Sequence, residues 1–133
     1  MPTVEMNENN FQELISNNET VIIDFWAEWC GPCRSFAPIF EAASERHSDV
    51  LFAKVDTEAS RELAAMFEVR SIPMVAIIRE EIGLFRQPGL IPAEGIDDLL
   101  GQVKALDMDE IRVQAEHQHN EDVNPIDRES SED

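Results

Sequence analysis

The sequence predicts an α/β domain with a central mixed β-sheet of four to five strands and helices on both faces. Three observations predict it. Apolar, β-branched runs of strand length recur at residues 21–25, 50–56 and 73–78. Stretches with apolar residues at helical spacing, such as Phe36, Phe40 and Ala43, lie between them. A further short apolar run at 82–85 then follows the third strand too closely for a helical crossover, so the pair reads as a hairpin and the sheet as mixed.

Taken in order, residues 3–6 are expected as a short edge strand. Asn7 offers a helix cap, and Phe11, Leu14 and Ile15 follow at helical spacing before Asn17-Asn18-Glu19 ends the helix. Residues 21–25 form a buried strand, too short for an ordinary helix. Pro32 fits the first turn of the next helix, where its missing N–H leaves no donor unpaired. That helix presents Phe36, Phe40, Ala43 and His47 on one face, and Pro38 inside it should kink it. A second buried strand covers 50–56, and a short helix over 58–67 buries Leu63, Met66 and Phe67. After the hairpin, a helix over 92–106 closes the domain, with Pro92 near its start and Ile96, Leu99, Leu100, Val103 and Leu106 on one face.

The 133 residues suit one domain, over 1–106, followed by an acidic segment, 107–133. A hydrophobic content of 43% supplies a core without a disulfide scaffold. Net charge is −18, so phosphate backbones and anionic lipid surfaces are repelled; neither nucleic acid nor membrane is an expected partner. From Asp107 onward ten acidic residues stand against Arg112 and Arg128. With one proline and no sustained apolar stripe, this tail is expected to be solvated and disordered beyond any continuation of the helix past Met108 and Ile111. A partner-docking arm or an electrostatic screen against acidic targets are its alternative roles. His117 and His119 make at best a weak metal pair, and no metal site is expected. No basic segment followed by an apolar stretch opens the chain, and two cysteines without an obvious structural partner suit a reducing compartment. A cytoplasmic, soluble monomer is the expectation.

Those cysteines, Cys30 and Cys33, fall at the mouth of the helix that follows the central strand. As a structural disulfide they would close a very small loop and contribute little. As a zinc site they supply half the ligands, and no histidine has the spacing of a second half. Reversible redox chemistry does need such closeness, because a second thiol must reach a mixed disulfide. At the cap, Cys30 faces the free N–H groups and positive end of the helix, which favour thiolate. Cys30 is therefore the expected nucleophile, the more exposed of the two, and Cys33 the resolving thiol. Asp24 interrupts an apolar run and is the candidate proton acceptor for Cys33, its burial raising its pKa; a strand-end carboxylate that simply reaches solvent is the alternative. Lys54, in the adjacent strand, would tune Asp24 or else be an ordinary snorkelling lysine.

Trp-Cys-Gly-Pro-Cys at 29–33, preceded by Asp-Phe-Trp-Ala-Glu, resembles the active site of the thioredoxin family. The likeness continues at matching distances through Lys54, Asp56, Ile72-Pro73 and Gly89, and it leaves the last part of the chain without a counterpart. It implies a thioredoxin fold and a dithiol–disulfide oxidoreductase that reduces protein disulfides. Gly31 and Pro32 between the cysteines resemble those of reductant members. No bound cofactor is implied beyond the redox-active Cys30–Cys33 pair. Electrons would come from NADPH through a flavoprotein thioredoxin reductase, and the partners would be that reductase and disulfide-containing proteins. The resemblance also implies a buried acid at Asp24, a proline at position 38, and a cis bond at Ile72–Pro73. The Ile72 backbone edge would pair with an extended substrate segment. Each of Trp29, Gly31, Pro32, Ile72, Pro73 and Gly89 alone reads as turn or core; together they would form a flat apolar rim around the thiolate, with Trp26 packing beneath.

Several residues depart from the family pattern. Arg34 replaces the commoner lysine and keeps the charge. Pro88 stands before Gly89 where a β-branched residue is usual, removing a backbone donor from the rim, and Met74 follows the proline. In place of an Asn-Gly-like turn stands Arg79-Glu80-Glu81-Ile82-Gly83. Glutamate tolerates positive φ poorly, so another turn is expected, with Gly83 at the strained position. A chaperone or assembly factor of the same fold, with secondary redox activity, is the rival reading; an isomerase-like oxidant is another.

Overall fold

A computed structural model describes residues 3–116. Among the described residues up to Ala105, nine elements follow one another: β1 (Thr3–Glu5), α1 (Phe11–Asn17), β2 (Thr20–Trp26), α2 (Gly31–Arg46), β3 (Leu51–Asp56), α3 (Arg61–Met66), β4 (Met74–Arg79), β5 (Ile82–Pro88) and α4 (Ala93–Ala105). The sheet order is β1-β3-β2-β4-β5. β3 runs parallel to β1 and β2, whereas β4 is antiparallel to both β2 and β5. The sheet is mixed and five-stranded, with β2 at its centre.

The central strand is apolar apart from Thr20 and Asp24, because both of its faces are covered. Alternate side chains enter two cores. Ile22 joins Phe36 and Phe40 of α2 and Ile96, Leu100 and Val103 of α4. Val21, Ile23 and Phe25 join Ile15 of α1 and Leu63 of α3 on the opposite face. Asp24 shares the strand face of Ile22 and Trp26, and so lies on the α2 side of the sheet. α2 and α4 are tied at the surface, where Asp97 accepts from Arg46 Nη2 at 2.9 Å and meets His47 Nε2 at 2.7 Å. Those two partners hold the Asp97 carboxyl below its usual pKa, the His47 hydrogen bond contributing most.

Four expectations are corrected. Asn7 does not cap α1: its side chain accepts from Asn9 and Asn10 N–H within a preceding turn, and the helix begins after Asn10. Met66 is 58% exposed, because α3 is only six residues long and turns toward the sheet through Leu63. Leu106 lies beyond the end of α4 and is exposed. The hairpin places Glu80 at φ 52° and Glu81 at φ 65°, so both glutamates are left-handed and Gly83 is not. A two-residue turn of that hand matches the twist of β4 and β5, and strand pairing overrides residue preference. The pairing shifts between Ile77 and Ile78, leaving Leu84 as an extra residue in β5.

The chain divides into two units, Met1–Val103 and Lys104–Asp133. In the second, residues 108–116 form a helix. Asp107 starts it, its carboxylate accepting from the N–H groups of Asp109 and Glu110. The helix is separate from α4, broken at Leu106 and Asp107. His117, His119 and the expectation for the rest of the tail lie outside the described residues. Among those described, no helix is long and apolar enough to cross a membrane.

Candidate active site

β2 ends at Trp26, and a turn follows in which Cys30 N–H donates to the Ala27 carbonyl at 3.1 Å. Cys30 is the N-cap of α2, with extended backbone and Pro32 just inside the helix. Its Sγ accepts the N–H of Cys33 at 3.2 Å. This is the capping interaction normally made by a serine or aspartate oxygen, here made by sulfur. Cys30 and Cys33 are joined as a disulfide with Cα atoms 5.2 Å apart. The expected difference in exposure is absent: Cys30 is 4% and Cys33 3% exposed. With its sulfurs bonded to each other, the pair sits in a small apolar cluster with Ala27, Trp26 and Ile72, so what separates the two residues is the cap.

The Ile72–Pro73 peptide bond is cis. The Ile72 carbonyl oxygen lies 3.7 Å from Cys30 Sγ. Pro73 is buried and its carbonyl accepts the Gly89 N–H at 2.7 Å, so two segments distant in sequence meet beside the disulfide. Gly89 has φ 100°, a conformation that few other residues adopt. Trp29 is 68% exposed, with its indole N–H directed to Glu58 Oε2 at 3.4 Å. Gly31, Pro32 and Gly89 are exposed and Ile72 half-buried, giving a shallow surface around the disulfide. Leu90, absent from the sequence-based list, is also exposed, and the only hint of it was its place next to Gly89.

Asp24 is 1% exposed and neither carboxylate oxygen has a hydrogen-bond partner among the described residues. Burial pushes its pKa up to about 7, against the opposing charge of Lys54. Lys54 is the cross-strand neighbour of Asp24 in β3, yet the two form no ion pair. Its ammonium instead stands 5.4 Å from the centre of the Trp26 ring, an electrostatically favourable seat for a cation. Lys54, Trp26, Cys33 and Ala37 line a cavity of about 150 Å³.

A family model described as Thioredoxin matches residues 2–102. A Streptomyces coelicolor protein named "Putative thioredoxin 2" is 51% identical over 110 residues, covering 83% of this chain and 82% of that protein. Thioredoxin C-3 of Corynebacterium nephridii is 42% identical over 100 residues, covering 74% and 69%. The chain belongs to the thioredoxin family. Among solved structures, chloroplastic thioredoxin z superposes with a TM-score of 0.72 at 28% identity, covering 80% of this chain and 97% of that one. Plasmodium falciparum thioredoxin superposes at 0.69 and 29%, covering 75% and 97%.

As a member of the thioredoxin family the chain is a dithiol–disulfide oxidoreductase whose redox pair is Cys30 and Cys33. Members need no bound cofactor. Among the described residues, no group of three or more His, Cys, Asp and Glu side chains is arranged to hold a metal.

Proposed function

We propose that the chain is a thioredoxin-type reductant of protein disulfides, with Cys30 attacking and Cys33 resolving. The observation that carries the assignment is the sulfur of Cys30 at the start of α2, accepting the Cys33 N–H at 3.2 Å. In the reduced protein this donor and the positive helix end stabilise thiolate at Cys30 more than at Cys33, one turn inside the helix. Cys30 thiolate attacks one sulfur of the target disulfide and expels the other as thiolate, leaving a mixed disulfide. Cys33 then loses its proton and attacks Cys30 Sγ. The target leaves reduced by two electrons, and the Cys30–Cys33 disulfide is formed.

Asp24 is the proton acceptor for the second step. Its buried, unpartnered carboxylate and raised pKa suit it to exchange a proton near neutrality. Cys33 and Lys54, the cross-strand neighbour of Asp24, line a cavity of about 150 Å³, room enough for a water beside the resolving thiol. Lys54 tunes Asp24 through space, favouring its ionised form. Trp29, Gly31, Pro32, Ile72, Pro73 and Gly89 form the docking surface, where the Ile72 backbone pairs with an extended target segment. NADPH, through a flavoprotein thioredoxin reductase, regenerates the dithiol. A monomer working in a reducing compartment such as the cytoplasm completes the reading.

Insulin-disulfide reduction with a dithiol reductant, and with NADPH plus a thioredoxin reductase, tests it. Wild type turns over, Cys30→Ser shows only background, and Cys33→Ser accumulates a target adduct visible by mass spectrometry. Absence of wild-type turnover, with client binding unaffected by both changes, would instead support a chaperone of the same fold. An adduct that accumulates on Cys33 in the Cys30→Ser protein, with none on Cys30 in Cys33→Ser, would reverse the two roles.

A further inference from the structure

A groove of about 390 Å³ runs from the redox pair to α3, with Trp29 and Ile72 at its near end and small or apolar side chains, Ala64 and Val69, along it. Two guanidinium groups line it, Arg61 and Arg70, in a chain whose net charge is −18. The groove's acid, Glu58, is already engaged: one oxygen accepts from Trp29 and the other stands 3.7 Å from Arg61. Arg70 is exposed and has no ion pair or hydrogen bond among the described residues. Only Ser71 separates it from Ile72, whose carbonyl oxygen lies 3.7 Å from the Cys30 sulfur.

We propose that this groove holds the stretch of target next to the attacked cysteine and selects stretches carrying an Asp or Glu side chain, which pairs with Arg70. This rests on the disulfide-reductase reading above. A guanidinium fork suits a carboxylate in two-point contact, and a free one loses no existing partner on binding. The selection is also kinetic. The whole chain repels acidic targets, so a local cationic spot decides which face of the protein an acidic segment approaches. Arg61 assists less, because Glu58 competes for it.

The test uses the full chain with dithiothreitol as electron source and peptide disulfides carrying Glu, Gln or Lys at one position, scanned across the residues flanking the cysteine. At one register wild type should reduce the Glu peptide with kcat/KM about tenfold above the Lys peptide and about threefold above the Gln peptide, as expected for an exposed charge pair. Arg70→Gln should bring the Glu-to-Lys ratio near unity and Arg70→Glu should invert it, while Arg70→Lys retains part of it. A ratio within one variant is independent of how much protein is active, so partial misfolding does not imitate the effect. Equal rates at every register, a preference for Lys, or a Glu preference that persists in Arg70→Glu each overturn the groove assignment alone. No turnover of any peptide by wild type overturns the reductase reading, and the groove with it.

Discussion

Asp24 holds two buried oxygens to which no group among the described residues donates, and its chemistry follows from that. The folded protein holds the proton up to about pH 7, whereas the unfolded chain releases it near the ordinary aspartate value. Between those values the native state binds more protons, so its stability falls as pH rises and levels off above 7. Asp24→Asn, which stays neutral, should match wild type near pH 4 and exceed it at pH 8 by roughly 4 kcal/mol; denaturant titrations across pH measure the gap. A gap independent of pH would mean the carboxyl is ionised throughout or paired. In catalysis the same variant should lose the rise in resolution rate through pH 7, with the first attack on a target unaltered, as rapid-mixing single-turnover kinetics would resolve. Cys30 is the other residue whose role is set locally: the cap is a backbone contact three residues long, which is why its function was legible before any tertiary detail.

Among the elements, α2 carries the site and is held by packing beneath it. Phe40 is fully buried and touches both Phe36 and Phe52, with ring centres 5.8 and 5.0 Å away. Phe40→Ala should therefore cost about 3–5 kcal/mol in urea unfolding, since the cavity forms between helix and sheet where neither can collapse. The β4–β5 hairpin offers the opposite opportunity. Glu80 and Glu81 both occupy left-handed backbone, so the double change Glu80→Asn with Glu81→Gly should stabilise the fold by about 1–2 kcal/mol and raise Tm by roughly 5–10 °C. A fall in Tm would mean that the Gln12–Glu81 hydrogen bond, at 3.0 Å, outweighs the conformational gain. At α3, the first-turn Leu63 N–H is satisfied by Glu8 from outside the helix, which holds the Glu8 carboxyl below its usual pKa. Such a cap, 55 positions away, leaves no mark in a local window.

For the molecule as a whole, the charge of −18 should make encounters with acidic partners slow at low salt and faster as salt screens the repulsion. Residues 107–133 hold −8 of it, so a chain ending at Leu106 should reduce an acidic protein substrate with a shallower salt dependence, measured as kcat/KM against NaCl concentration. An unchanged slope would remove the screening role from that segment. Periodicity, helix capping and thiol spacing act over a few residues, so the strand runs, the helix that follows the cysteines, the redox pair and the mixed sheet were legible in the chain. The rest was settled by packing between distant segments. Lys54 sits over Trp26 instead of pairing with Asp24; Glu80 and Glu81 accept a turn their type disfavours; Arg70 lines the groove with Trp29 and Ile72 and has no partner among the described residues. Each of those outcomes depends on what an adjacent strand or helix places opposite the residue, and a competition between distant groups for one space has no local signature.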